Sequence, residues 1–220
     1  MALPPAAPSP RLGPSMPVAC DLYQLVPGLF IWQYYDPTVK AELCSSAIIA
    51  SGEIYVVDPI LLEASQFGRL RRIAPPVGIV VTNANHQRGA LYYSEKLSAP
   101  ILARRESFRG KKPSRFIEIA NGAKICDELE VIAIEGAVAG EIALYHPSNG
   151  GTLVVGDALI NFEPPGFAVL PRKYCLNQKQ MQRSLQELLT RPVERLLFAH
   201  GTPILSGASA RLRNLLDVDL

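Results

Sequence analysis

Residues 77–90, V-G-I-V-V-T-N-A-N-H-Q-R-G-A, constrain the chain more than any other stretch. Ile79, Val80 and Val81 form a short apolar, β-branched run, the pattern of a strand covered on both faces. Thr82 ends the run, polar side chains follow, and Gly89 opens a segment with helical character. A strand that passes through a polar loop into a helix belongs to an α/β chain. With 220 residues, this one can bury a full-sized core as one domain.

The segments on either side agree. Strand patterns at 22–26, 29–35, 44–50 and 53–57 are separated by the turn signals Pro27-Gly28, Asp36-Pro37 and Gly52. The spacing predicts a helix over 63–73 that buries Phe67, Leu70 and Ile73, and another over 87–97 that buries Leu91, Tyr92 and Leu97. Further strands are expected at 100–103, 116–119, 128–134, 141–145, 152–155 and 195–199. Two more helices are expected, at 177–190 with Asn177 as its cap and at 208–216.

Composition excludes several classes. The net charge of +2 gives no reason to expect a nucleic-acid partner, and no apolar stretch is long enough to span a membrane. Six basic residues between 104 and 115 face one acid, Glu106. They read as a solvated excursion, with an anion- or partner-binding patch as the alternative. Cys20, Cys44, Cys126 and Cys175 are widely spaced and read as reduced thiols of a cytoplasmic protein; a Cys20–Cys44 disulfide is the alternative. Residues 1–19 hold six prolines and are expected to be disordered or draped over the surface. They lack the apolar core of a secretory signal, so no export is expected, and Met16 is an alternative start. No G-x-S-x-G elbow, phosphate-cradling Gly loop or dinucleotide motif is present.

The 77–90 junction resembles the metal-binding loop of the metallo-β-lactamase-fold hydrolases. There a strand ending in Thr runs into H-x-H-x-D-H, whose side chains converge on one or two zinc ions. On this resemblance the four ligand positions are Asn83, Asn85, Gln87 and Arg88. Residues 56–59, V-V-D-P, match the strand end whose Asp supports that loop. Residues 135–141 match the turn that carries the next His, with Ala137 in its place. The G-D motif at 153–157 keeps its carboxylate as Asp157, and the H-G-x-P motif at 198–203 keeps His200. The likeness runs from about residue 22 to 205. It implies an αββα sandwich for residues 20–220 and, in active members, hydrolysis of an ester, thioester or amide.

Zinc prefers imidazole, thiolate or carboxylate donors. Asn and Gln amides are poor donors, Ala offers none, and the fixed charge of Arg opposes a cation. The expectation is therefore a non-catalytic or ligand-binding homologue with no metal or other cofactor, whose partner is a small molecule or a protein. The alternative is a weak hydrolase, either metal-free or with one zinc on His86, Asp157 and His200. That zinc requires a one-residue loop shift to turn His86 inward; otherwise His86 is a helix-start histidine bonded to backbone or water. Arg88 is expected to pair with Asp157 and replace the metal's charge, with Asn83, Asn85 and Gln87 completing the hydrogen bonds. Trp32, Tyr34, Tyr35 and the loop 161–167 are expected to form the mouth of the cleft, or else to cover an edge of the core.

Overall fold

The computed structural model describes residues 16–38, 40–164 and 166–217. The first half runs β1 (Val18–Ala19), β2 (Tyr23–Val26), β3 (Leu29–Asp36), β4 (Ala41–Ala50), β5 (Glu53–Val57), β6 (Leu61–Leu62), α1 (Ala64–Ile73), β7 (Pro76–Val80), α2 (Ala90–Leu97), β8 (Ile101–Ala103) and β9 (Phe116–Glu118). The second half runs β10 (Lys124–Ile125), β11 (Leu129–Ala133), β12 (Ile142–His146), β13 (Thr152–Val155), β14 (Leu159–Phe162), β15 (Gly166–Val169), α3 (Gln178–Gln186), β16 (Arg195–Phe198) and α4 (Ala208–Leu216).

Seven strands form one sheet in the order β2-β3-β4-β5-β7-β8-β9, and five form the other in the order β10-β11-β12-β13-β16. Hairpins keep β2 to β5 antiparallel, whereas β5, β7, β8 and β9 run parallel. In the second sheet β13 and β16 are parallel, with α3 crossing between them.

Side-chain parity sorts these strands into three apolar layers, because alternate residues leave opposite faces of a strand. Ile31, Val57 and Val80 from the first sheet meet Val131, Leu144 and Leu197 from the second in the central core. Phe30, Val56 and Ile79 point the other way, onto Phe67 and Leu70 of α1 and Tyr93 of α2. Ile132, Val155 and Leu196 do the same against Met181 and Leu185 of α3 and Leu212 of α4. Helices outside, two sheets inside: the layering is the expected αββα sandwich.

Several local expectations need correction. Helix α2 begins at Ala90 and not at 87, and it buries Ala90, Tyr93 and Ser94. Leu91 and Tyr92 are exposed, because Tyr93 is anchored inward by accepting a hydrogen bond at its hydroxyl from Leu62 N, at 2.9 Å. Ile73, at the last turn of α1, also faces solvent. Asn161, Phe162, Gly166 and Phe167 are not loop residues: they pair with one another across β14 and β15, which are antiparallel. Asn177 caps α3 as expected, its side chain accepting from Gln180 N at 3.2 Å.

Within the proline-rich beginning, Val18–Ala19 pairs in parallel with Leu61–Leu62. The expectation for residues 1–15 lies outside the described residues. All four cysteines are free, and Cys20 is exposed while Cys44 is buried.

Candidate functional site

The polar residues of the chain gather where the parallel strands end. Asp58 follows β5, Thr82 and Asn83 follow β7, Asp157 follows β13 and His200 follows β16. Carboxyl ends of parallel strands are where open α/β sheets place their ligands, because the loops there diverge and leave a crevice. The two sheets come so close at this edge that position 156 must be glycine. A Cβ there would sit 2.6 Å from Thr82 Oγ1, 2.7 Å from Glu141 Oε1 and 2.9 Å from Asn83 Nδ2.

Asp58 organises the loop, as the V-D-P resemblance implied. Its Oδ1 accepts from Thr82 N at 2.8 Å, and its Oδ2 accepts from Thr82 Oγ1 at 2.5 Å. Nδ1 of His86 lies 2.9 Å from the same Oδ2. The backbone is strained at both ends of this arrangement, with φ of +47° at Asp58 and +32° at Arg88.

His86 is not a helix-start histidine bonded to backbone or water. Its ring is 1% exposed and wedged between two carboxylates, with Nε2 3.2 Å from Asp157 Oδ1. That approach is close enough for ion pairing but off the line of a hydrogen bond, so Nε2 has no hydrogen-bond partner. Burial alone would push the imidazole pKa down; the Asp157 and Asp58 carboxylates outweigh it and raise it to about 9. Burial would in turn raise both carboxyls, yet the neighbouring His86 holds each below the usual range.

Asp157 receives the pairing expected of it, from a different cation. Its Oδ2 accepts from Asn85 Nδ2 at 3.0 Å and Asn83 Nδ2 at 3.2 Å. Arg88 turns away: Nη1 donates to the carbonyls of Cys44 (2.7 Å) and Asp58 (3.1 Å), and Nη2 to that of Ala199 (3.3 Å). The long guanidinium reaches one carbonyl inside β4 and two that follow β5 and β16, while the short imidazole fits the gap between the acids. Gln87 takes no part in binding Asp157; its Nε2 donates to Ser107 O at 2.7 Å.

Beneath them lies a residue that sequence reasoning missed as part of the site. Glu141, fully buried, accepts from Asn83 Nδ2 at 2.6 Å and from Ala158 N at 3.0 Å. Burial first, and then the Asp157 charge, push its pKa up to about 8. The Gly140-Glu141-Ile142 sequence looks like an ordinary strand start and carries no signal for this. His200 completes the floor, with Nδ1 2.9 Å from Glu42 O and Nε2 3.5 Å from Asp157 Oδ1. Burial, with His86 and Arg88 nearby, pushes its pKa down to about 4.

Above this floor opens a cavity of about 1030 Å³. Asn85, His86, Arg88, Asp157 and His200 line it, with walls that include Leu43, Ile60, Ile160, Phe162 and Leu170. The aromatic mouth expected from the early hairpin is elsewhere. Trp32 is fully buried under α1 and α2, its Nε1 donating to Ile60 O at 2.9 Å, because it shares strand parity with Phe30. Tyr34 packs at the edge of the same layer, and Tyr35 is exposed outside the cavity. Ala137 belongs to the core against α3; Val138 and Ala139 line the cavity in its place.

Among the described residues, three titratable side chains offer donor atoms to a single point: His86, Asp157 and His200, all within 4.8 Å of one another. A two-metal centre does not fit this donor set. Asn83, Asn85 and Gln87 could offer only neutral amide oxygens, poor donors to zinc, that of Asn83 already accepting from Asn85 N at 2.8 Å, and Ala137 has nothing to offer. Arg88 places a permanent donor, Nη2, 3.4 Å from His200 Nε2.

No curated protein sequence matches the chain. Solved structures match its architecture. The DIM-1 metallo-β-lactamase superimposes with a TM-score of 0.71 at 14% identity, covering 94% of this chain and 100% of that one. The metallo-β-lactamase family protein TTHA1429 from Thermus thermophilus gives 0.63 at 19%, covering 89% and 80%. A metallo-β-lactamase from Pontibacter korlensis gives 0.67 at 13%, covering 90% and 98%. At such identities the likeness is one of fold. The sequence profile described as Metallo-beta-lactamase superfamily matches residues 22–218, nearly the whole described chain, and the chain therefore belongs to that superfamily.

Proposed function

We infer that this chain is a non-hydrolytic, ligand-binding member of its superfamily, in which side-chain cations do the electrostatic work of a metal. The observation that carries this reading is His86, held between Asp58 and Asp157 at 2.9 and 3.2 Å. At neutral pH the cations His86 and Arg88 balance the anions Asp58 and Asp157, and Glu141 stays protonated. An added divalent ion would meet a cluster already neutral, with a guanidinium beside one of its donors. What remains is a cavity with apolar walls and a hydrogen-bonding floor, the usual make-up of a small-molecule site.

A second reading is a weak hydrolase with one metal, favoured by the convergence of His86, Asp157 and His200 and by the unpartnered Nε2 of His86. Those three residues would hold the ion, and zinc so held would supply Lewis-acid activation of water. Elemental analysis of protein purified without added metal separates the two. The binding reading expects well under one zinc per chain and a melting temperature indifferent to chelator. One zinc per chain, lost in both Asp157→Ala and His200→Ala, would favour the hydrolase instead.

A further inference from the structure

Charge is unevenly placed along this chain. Residues 64–118 hold eleven Lys and Arg against three acids, a balance of +8; the whole chain carries +2, which leaves −6 on the remainder. Arg88 lies inside the site, and Arg104 and Lys112 pair with Glu135 and Glu118 at 2.8 and 3.4 Å. The other eight cations are exposed, and among the described residues none of them pairs with a carboxylate. Arg69, Arg71 and Arg72 stand on α1 and Lys96 on α2; the rest lie between 104 and 115. These segments share one side of the molecule. Helices α1 and α2 cover the outer face of the seven-stranded sheet, and Phe108 and Phe116 pack into the same layer. Arg71, Arg72 and Lys96 line a recess of about 460 Å³ where the two helices end side by side. Ile73 at its edge and Leu91 and Tyr92 on α2 are exposed, and Lys96 Nζ donates to the Tyr92 hydroxyl at 2.9 Å. Apolar side chains are thus interleaved with unpaired cations.

We propose that this side docks onto an anionic lipid bilayer. Lipid phosphates meet Arg71, Arg72 and Lys96 at the recess, and Ile73, Leu91 and Tyr92 enter the head-group layer. Three features favour a bilayer over another polyanion. The cations spread over two helices and a loop, a breadth that suits a plane of charge. The apolar side chains between them are mainly aliphatic, whereas a single-stranded nucleic acid would be met by stacking rings. The acidic remainder of the chain is repelled by the same field, which turns the basic side towards the surface before contact. This side acts whether or not the cavity holds a ligand.

Vesicle sedimentation of the full chain tests this, with an equimolar mixture of phosphatidylserine and phosphatidylcholine set against phosphatidylcholine alone. At physiological salt the chain is expected to partition onto the mixed vesicles about tenfold or more better, and to be released as salt rises to about 0.5 M. The triple variant Arg71→Gln, Arg72→Gln, Lys96→Gln is expected to lose about tenfold or more of that binding. A matched triple around α3, Arg172→Gln, Lys179→Gln, Arg183→Gln, also at exposed positions, is expected to lose less than about twofold. Leu91→Asn with Tyr92→Asn, which keeps every charge, is expected to lose about threefold. If the first triple does not fold, this pair and the salt dependence decide. Equal binding to the two kinds of vesicle, or equal losses in the two triples, would overturn the bilayer. So would tighter binding to duplex DNA than to the mixed vesicles, which would assign this side to a nucleic acid.

Discussion

His86 shows how one side chain can settle the electrostatics of a whole site. Its pKa is raised from 6.5 to about 9, so the folded chain holds a proton that the unfolded chain releases in between. The stability this contributes is complete below about pH 6.5 and lost as pH rises through 9. Glu141, raised to about 8, works in the same direction: its contribution is complete below about pH 4.5 and lost through 8. His200, lowered to about 4, acts oppositely, and its contribution is lost as pH falls from about 6.5 towards 4. Above pH 6.5 the two downward terms stand alone. Urea midpoints should therefore fall between pH 6.5 and 9, with His86 responsible for a loss of about 3 kcal/mol. In His86→Gln the slope should flatten, and an unchanged slope would mean that the imidazole is neutral in the fold. Little of this is legible in the sequence. The motifs mark both Asp58 and Asp157, but they point to Arg88 as the cation that pairs with Asp157. The longer side chain reaches past the acids to backbone carbonyls, and the shorter one fills the gap.

At the scale of the element, the run of strands and the motifs at their ends are plain from the residues alone. The faces are harder. The aromatic character of Trp32 suggests a mouth, although its parity with Phe30 puts it among the residues under the helices. Counting from position 87 assigns Leu91 and Tyr92 to a buried face, and a helix that starts at Ala90 rotates that face to Tyr93. Both errors are of phase, and the period of a pattern does not fix its phase. Gly156 marks a close approach between two elements at the site. Thr82 Oγ1, Glu141 Oε1 and Asn83 Nδ2 all lie under 3 Å from where an alanine methyl would stand, and hydrogen bonds to Asp58, Ala158 N and one another hold all three in place, so Gly156→Ala must separate β7 from β13. The expected cost is about 1–3 kcal/mol by urea denaturation. A variant as stable as the parent would show that the two strand ends can move apart freely.

On the scale of the whole molecule, the central layer makes the two halves depend on each other. Val131, Leu144, Val154 and Leu197 find their cover on Leu29, Ile31, Ile48 and Val80 of the other sheet. A fragment of residues 120–217 would keep its helices but expose one entire face of its five-stranded sheet. It is expected to show no cooperative unfolding transition and to bind a hydrophobic dye, as chains without fixed packing do. A fragment that melts sharply would contradict the shared core.

Arg88 joins the carbonyl of Cys44, inside β4, to those of Asp58 and Ala199, which follow β5 and β16, so that two lie on one sheet and one on the other. A clasp made of side-chain nitrogen cannot be stripped by chelation or starvation, nor swapped for a competing ion. The outline of this end of the cavity therefore persists wherever the polypeptide itself stays folded.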